Sequence, residues 1–337
     1  MSDTDTFNNN NLRNNGPVIG YRRVAGKFAL TKEENGVRGA WVEKRKSIIE
    51  RLQANNYRVQ PIGELTDATA KHGIRNIAGE PGKHVECEIL MLEFGGTNMM
   101  FFGDDWRRTL ELIKNHKGKI VFINDDPDLS FPWNRLPDED YSRWTVAVNA
   151  VNAELAKMVL KCPSACKVVD MPMHSNMTFK PAATPKLNQL CYIGRPNSRG
   201  IYFKKEGRGF AYSPHIRIVG KPKEWAEYPG VPLLEIPQQR NRAGFYRMFS
   251  GCLSVYDEKH AICGWRTGRA YHAVYAGVPS VAPVGNSGLD WCYQINSLTD
   301  VEQFINLSQK QKIEIWEKQK EQILKTSNYT IKDLWLW

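Results

Sequence analysis

Glu88-Ile-Leu-Met-Leu-Glu93, Trp106 to Asn115 and Lys119-Ile-Val-Phe-Ile123 decide the fold of this chain. The first is a continuous apolar run closed by Gly95-Gly96, the pattern of a strand buried on both faces. The second has helical spacing and the third is another apolar run. Strand, helix and strand at this spacing predict a right-handed βαβ unit and a parallel sheet. Toward the N-terminus, Val18 to Tyr21 predicts a strand, Trp41 to Leu52 an amphipathic helix and Tyr57 to Ile62 another strand. Toward the C-terminus, Val146 to Leu160 predicts a helix and Cys166 to Met171 a strand. Pro181 to Pro185 then reads as an interdomain linker. Beyond it, strands are predicted at Leu190 to Ile193, Ile216 to Val219, Leu233 to Ile236, Leu253 to Tyr256 and Ser280 to Ala282. A short helix over Arg269 to Ala276 and a long charged one over Val301 to Lys325 complete the series.

The expected architecture is therefore α/β, with two Rossmann-like domains whose parallel sheets face each other across a cleft. Its parts are a disordered tail over 1–15, an N-terminal domain over 16–180 and a C-terminal domain over 181–310. A helix and tail over 311–337 are expected to pack back on the N-terminal domain. A length of 337 residues suits two domains. An apolar content of 42% excludes a wholly disordered chain. No apolar run is long enough to span a bilayer, and Met1 to Asn15 is too polar for a secretory signal. Seven cysteines without a C-x-x-C pair predict reduced thiols in a cytoplasm.

Charge is concentrated. Of the net +10, an excess of nine lies between Lys186 and Arg269, where fifteen Lys/Arg stand against six Asp/Glu. Such a quarter suits a polyanion, either a nucleic-acid backbone or a nucleotide diphosphate, or else is a solvated basic surface.

Three motifs carry chemistry. Ile123-Asn-Asp-Asp-Pro-Asp128 follows a predicted strand and so places carboxylates at the carboxyl edge of a parallel sheet, where such sheets bind ligands. One of them could serve as a general base, the cluster could hold a divalent cation, or the segment is a solvated Asp-Pro turn. Ile193-Gly194-Arg195-Pro-Asn-Ser198-Arg199-Gly200 runs from a strand into a loop whose amides and guanidinium groups suit a pyrophosphate, or is a basic surface turn. In the segment from Trp265 to Pro283, Arg269 and His272 share a face near the start of a short helix, a second phosphate-binding device. His272 could equally be a packed histidine. No G-x-S-x-G elbow and no Cys/His metal spacing is present.

The last segment, a helix followed by Ala276-Gly-Val-Pro279 and an apolar strand, resembles the donor-nucleotide element of GT-B glycosyltransferases. Taken in order, the motifs resemble the tailed-phage DNA β-glucosyltransferases over about two thirds of the chain. The matching segments are Ile89-Leu-Met-Leu, Phe101-Phe-Gly103, Lys119 to Asp126 and Leu129-Ser-Phe131. They continue with Tyr192-Ile-Gly194, Ile218-Val-Gly220, Ile236-Pro237 and Arg269 to Val281.

The resemblance implies a GT-B fold and inverting transfer of a sugar from a UDP-sugar to 5-hydroxymethylcytosine in double-stranded DNA. The modified base would be flipped out of the duplex. It further implies that Asp126 is the catalytic base. Gly194, Arg195, Ser198, Arg199, Ile236, Arg269 and His272 would bind the nucleotide sugar, the family having a glutamate where His272 stands. That departure, with an N-terminal segment unlike the family's, leaves glucose and arabinose both open. Lys204, Lys205 and Arg208, in the basic quarter, are the expected DNA contacts. No cofactor is obligatory on this reading, although a divalent cation such as Mg could sit at Asp125 and Asp128. The expected setting is a monomer in the cytoplasm of a phage-infected bacterial cell, without membrane contact. Two other readings remain: a GT-B enzyme with a non-DNA acceptor, against which the basic quarter argues, and a non-catalytic DNA-binding protein, against which the Asp cluster and arginine loop argue.

Overall fold

Apolar runs long enough to be buried on both faces become the strands of two parallel sheets, one in each of two units that part between Met173 and His174. The computed structural model describes residues 16–24, 39–62, 87–94, 104–127, 131–173, 178–234 and 242–327. The expected tail over 1–15 and the end of the chain over 328–337 lie outside them.

The first unit holds β1 (Val18–Val24), β2 (Arg58–Ile62), β3 (Ile89–Phe94), β4 (Lys119–Asn124), β5 (Trp144–Val148) and β6 (Lys167–Asp170). They pair in parallel in the order β2-β1-β3-β4-β5-β6. Helices α1 (Gly39–Ala54), α2 (Asp104–Asn115) and α3 (Ala153–Val159) connect them. Ile48, Ile49 and Leu52 of α1 pack with Ile19, Val59, Met91 and Val121 of the sheet in one core. A charged pin crosses this core. Glu93, at the carboxyl end of β3, accepts from Arg45 Nε at 2.8 Å and Nη2 at 2.7 Å, and from the Tyr21 hydroxyl at 2.7 Å. All three side chains are buried, so the pin ties α1 to β1 and β3 where solvent does not weaken it.

The helix expected over Val146 to Leu160 is two elements. Trp144-Thr-Val-Ala-Val148 is the fully buried β5, and only Ala153–Val159 is helical. β-Branched and aromatic residues favour the strand, and Asn152 starts the helix by accepting from the Leu155 amide at 3.0 Å.

The second unit holds β7 (Leu187–Ile193), β8 (Ile216–Val219), β9 (Leu233–Leu234), β10 (Phe249–Leu253), β11 (Ser280–Pro283) and β12 (Tyr293–Ile295). Their order is β12-β11-β10-β7-β8-β9, again parallel. Its helices are α4 (Gly200–Phe203), α5 (Arg242–Tyr246), α6 (Glu258–Cys263), α7 (Gly268–Tyr275), α8 (Leu298–Asn306) and α9 (Gln309–Ser327). The strand expected over Leu253 to Tyr256 ends where it was expected to begin, because Phe249–Leu253 is the segment that pairs with β7.

The helix expected over Val301 to Lys325 is split into α8 and α9. Ser308 and Gln311 cap α9 reciprocally: Gln311 donates its amide to Ser308 Oγ at 3.3 Å and Ser308 its own to Gln311 Oε1 at 2.9 Å. The C-terminal helix, expected from residue 311 on the N-terminal domain, packs within the second unit. Trp316 Nε1 donates to Val274 O at 2.8 Å, and Gln319 bonds both main-chain groups of Ser280. Pro181 to Pro185, read as a linker, also belongs to this unit, where Ala183 donates its amide to Gly277 O at 2.8 Å.

Each sheet reverses its strand order once, between β1 and β3 in the first unit and between β7 and β10 in the second. The carboxyl ends flanking such a reversal form the crevice where open α/β sheets bind ligands.

Candidate active site

In the second unit the chain leaves β7 at Gly194, beside the order reversal. Gly194 has φ +146°, a conformation that L side chains rarely adopt. Its amide donates to Val219 O at 3.0 Å, and its carbonyl accepts from Trp225 Nε1 at 2.9 Å. The turn is therefore fixed from both sides.

Arg269, second residue of α7, lies under that turn. Its Nε donates to Ile193 O at 2.6 Å and its guanidinium sits 4.5 Å from the centre of the Tyr192 ring. A Cβ on Gly194 would lie 2.6 Å from Arg269 Nη2, so only glycine admits this approach. The cation is seated by a carbonyl and a ring face rather than by a carboxylate. Its Nη2 lies against Gly194 near the start of α7, where Thr267 makes no side-chain cap.

The rest of the loop adds charge. Arg195 is exposed and pairs through Nε with Glu224 at 2.8 Å. Arg199 is largely covered: Nη2 stands 3.9 Å from Asp257 Oδ2, and its buried Nε has no partner among the described residues. Ser198 Oγ donates to Asp257 Oδ2 at 3.1 Å. Burial works against ionising Asp257, but the hydrogen bond and charge of His260, followed by Arg199, outweigh it and hold the carboxyl well below the usual range. Two further hydroxyls, Ser254 Oγ just past β10 and Thr267 Oγ1 at the cap of α7, are buried without a partner among the described residues. The guanidinium groups of Arg195 and Arg199 and the Ser198 hydroxyl give this edge donors suited to an anion with several oxygens, with the two buried hydroxyls behind it.

The structure thus brings together Gly194, Arg195, Ser198, Arg199 and Arg269. His272 lies one turn further along α7, half-buried. Ile236 lies outside the described residues. Lys204 and Lys205 are exposed at the end of α4, with Lys205 Nζ 4.8 Å from the centre of the Tyr212 ring. Arg208 is half-buried, its guanidinium over Tyr202 at 5.2 Å and its Nη1 buried without a partner among the described residues. Sequence reasoning missed Asp257, Ser254 and Thr267. A Thr just before Gly268-Arg269 and an Asp before Glu258 to Cys263 are ordinary helix-start signals, and reading them as such would have found two of the three.

In the first unit Asp126 follows β4, half-buried at the sheet's carboxyl edge. Its amide donates to Asn124 Oδ1 at 2.9 Å, a local turn that sets the direction of the segment. Asp125 Oδ1 accepts from Asn149 Nδ2 at 3.1 Å, and Asn149 Oδ1 accepts from the Met173 amide at 3.4 Å. Asp128 lies outside the described residues. Among those described, no group of three or more His, Cys, Asp or Glu side chains could hold a metal ion. All seven cysteines are free. No helix among the described residues is long and apolar enough to cross a membrane.

No family model and no curated protein matches the chain. Solved structures do. A structure of T4 phage β-glucosyltransferase matches with a TM-score of 0.68 at 12% identity, covering 95% of this chain and 100% of that one. The same phage's enzyme in complex with UDP-glucose matches with a TM-score of 0.66 at 12% identity, over 94% and 96% of the two chains. HepE of Anabaena, in complex with UDP and glucose, matches with a TM-score of 0.51 at 11% identity, over 93% and 97%. At these identities the likeness is one of backbone: this chain has the two-domain α/β fold of the GT-B glycosyltransferases.

Proposed function

We propose that this protein is an inverting, UDP-sugar-dependent glycosyltransferase that modifies the hydroxymethyl group of 5-hydroxymethylcytosine in double-stranded phage DNA. The observation that carries the reading is the seat of Arg269, a guanidinium held under the Gly194 turn at the order reversal of the second sheet, beside the start of α7. That position and its donors suit the diphosphate of a nucleotide sugar. T4 phage β-glucosyltransferase, whose backbone this chain shares, is described as a DNA-modifying enzyme and takes UDP-glucose.

On this reading Asp126 is the general base. The hydroxymethyl oxygen forms a bond to the anomeric carbon as the bond from that carbon to the diphosphate oxygen breaks. The hydroxyl proton passes to Asp126, and UDP departs with the bonding electrons. Arg195, Arg199 and Arg269 stabilise the charge that develops on the diphosphate, while Gly194 and Ser198 shape the loop that meets it. Ile236 would meet the uracil and His272 the ribose. The base must leave the stack to meet a half-buried carboxylate. The basic quarter, with Lys204, Lys205 and Arg208, supplies sequence-independent attraction for the duplex. The sugar is glucose or arabinose. T4 phage β-glucosyltransferase has been crystallised with UDP and Mn2+. The mechanism proposed here routes no step through a metal. The setting that fits is a monomer in an infected bacterial cell.

Duplex DNA carrying 5-hydroxymethylcytosine, offered UDP-glucose, UDP-arabinose and UDP-N-acetylglucosamine in parallel, tests the reading by intact mass. A gain of one sugar with one donor, absent from unmodified duplex, is expected. Asp126→Ala should abolish transfer and leave UDP binding within about twofold. A folded wild-type protein that binds UDP but modifies no duplex would favour a non-DNA acceptor. One that binds duplex but no UDP would favour a non-catalytic protein.

A further inference from the structure

We propose that Asp257 is a positioning residue for the diphosphate end of the donor site, acting through Ser198 and Arg199. The proposal rests on the reading of the second unit as the nucleotide-sugar unit.

The segment from β7 to α4 has two halves, held differently. The first half is fastened to its own side of the sheet. Gly194 is bonded by Val219 and Trp225, and Arg195 O accepts from the Tyr192 hydroxyl at 2.7 Å. The second half, Ser198 and Arg199, reaches across the order reversal instead. Its side-chain polar contacts among the described residues go to Asp257, on the segment that follows β10.

Asp257 is itself fixed. Its Oδ1 accepts from the His260 amide at 3.1 Å and from His260 Nδ1 at 2.6 Å, closing the first turn of α6. Its Oδ2 is thereby aimed at Ser198 and Arg199. One carboxylate therefore ties the β10–α6 crossover to the β7–α4 crossover at the mouth of the crevice.

The distances say what kind of tie it is. Ser198 is hydrogen-bonded. Arg199, with Nη2 at 3.9 Å, is too far for a hydrogen bond but close enough for charge attraction. Its guanidinium is oriented without surrendering its donors, and the buried Nε has no acceptor among the described residues. The edge of the guanidinium that carries the Nη groups is the part that an anion could reach, since Nε is covered. A second anion arriving at Arg199 would meet donors already aimed, so less order would have to be imposed on binding.

The test compares UDP with uridine, which lacks the diphosphate. Asp257→Asn keeps the side chain's shape and an equally good cap for α6, while removing the charge and turning the oxygen that faces Ser198 and Arg199 into a donor. Calorimetry and ligand-observed NMR would give both affinities for wild type, Asp257→Asn, Arg199→Ala and the double variant. Asp257→Asn is expected to weaken UDP about tenfold and uridine less than about twofold. In the Arg199→Ala background the same change should alter UDP affinity less than about twofold, because the residue it acts through is gone. Ser198→Ala, which leaves the α6 cap untouched, should weaken UDP in the same direction.

Three results would overturn the proposal. UDP binding unchanged or tightened in Asp257→Asn would mean that the carboxylate only competes with phosphate for Arg199. Equal losses for UDP and uridine would reduce Asp257 to a structural role. An undiminished loss without Arg199 would break the link between them. Failure of the folded wild type to bind UDP would instead remove the donor-site reading itself, and the proposal with it.

Discussion

Replacing Gly194 by alanine puts a methyl group where the turn has no room for one. The backbone at φ +146° resists any L side chain, at a cost of about 1–3 kcal/mol. The new Cβ would lie 2.6 Å from Arg269 Nη2 and 3.3 Å from the Tyr192 hydroxyl. Ordinary contact begins at 3.4 Å, so the guanidinium must retreat by roughly 0.8 Å. Retreat stretches the 2.6 Å bond from Arg269 Nε to Ile193 O and lifts the cation from the Tyr192 ring. A hydrogen bond from a charged donor contributes about 1.5–3 kcal/mol, which brings the total to about 2.5–6 kcal/mol. Urea unfolding should register that loss, and calorimetry should find UDP binding weakened at least about tenfold as Arg269 loses its aim. The two contributions separate in a double variant. With Arg269→Ala in place the clash vanishes while the backbone cost remains, so Gly194→Ala should then cost only about 1–3 kcal/mol. Equal costs in both backgrounds, or unchanged UDP affinity in the single variant, would refute the reasoning.

Other outcomes are open to measurement. Glu93→Gln keeps the shape of the buried pin and removes the charge that Arg45 and Tyr21 address; it should destabilise the first unit by about 3–5 kcal/mol in urea, and a loss below about 1 kcal/mol would show the pin to be dispensable. Asp257 has a depressed pKa, so its stabilisation is complete above the unfolded value of about 3.9 and is lost as pH falls through the lower folded value. The Tm gap between wild type and Asp257→Asn should therefore be widest near pH 7 and narrow below about pH 4; a gap that is constant with pH would contradict the ionised pairing.

The sheets were legible where one signal dominated. Ile89 to Leu92 and Ile120 to Ile123 are apolar throughout, flanked by breakers, and both are strands. Val146 to Leu160 was not, because a buried strand and a short helix lie in one apolar stretch, and only the cap at Asn152 marks the join. The break between α8 and α9 was equally local, resting on the reciprocal Ser308–Gln311 cap inside a run of otherwise good helix formers. At the candidate site, the Gly194 turn and the start of α7 were legible from a glycine after a strand and an arginine at a helix start. Their meeting was not, since Arg269 reaches Ile193 across 76 residues. Asp257 lies 59 residues from Ser198 and carries no local mark beyond a helix cap. Counting charges also says nothing of direction: Arg208 adds to the basic quarter yet lies against Tyr202.

The seat of Arg269 bears on how far such a chain can drift in sequence. Its oxygen comes from the main chain of residue 193, so any side chain there supplies the same acceptor. Beyond the arginine itself, the arrangement asks for an aromatic face at 192 and the absence of a Cβ at 194. Three positions among 337 leave almost nothing for a letter-by-letter comparison to weigh. The backbone meanwhile keeps its path closely enough to superpose on the phage enzyme with a TM-score of 0.68. An arrangement built from carbonyls, amides and ring faces depends on the path of the backbone more than on the letters along it.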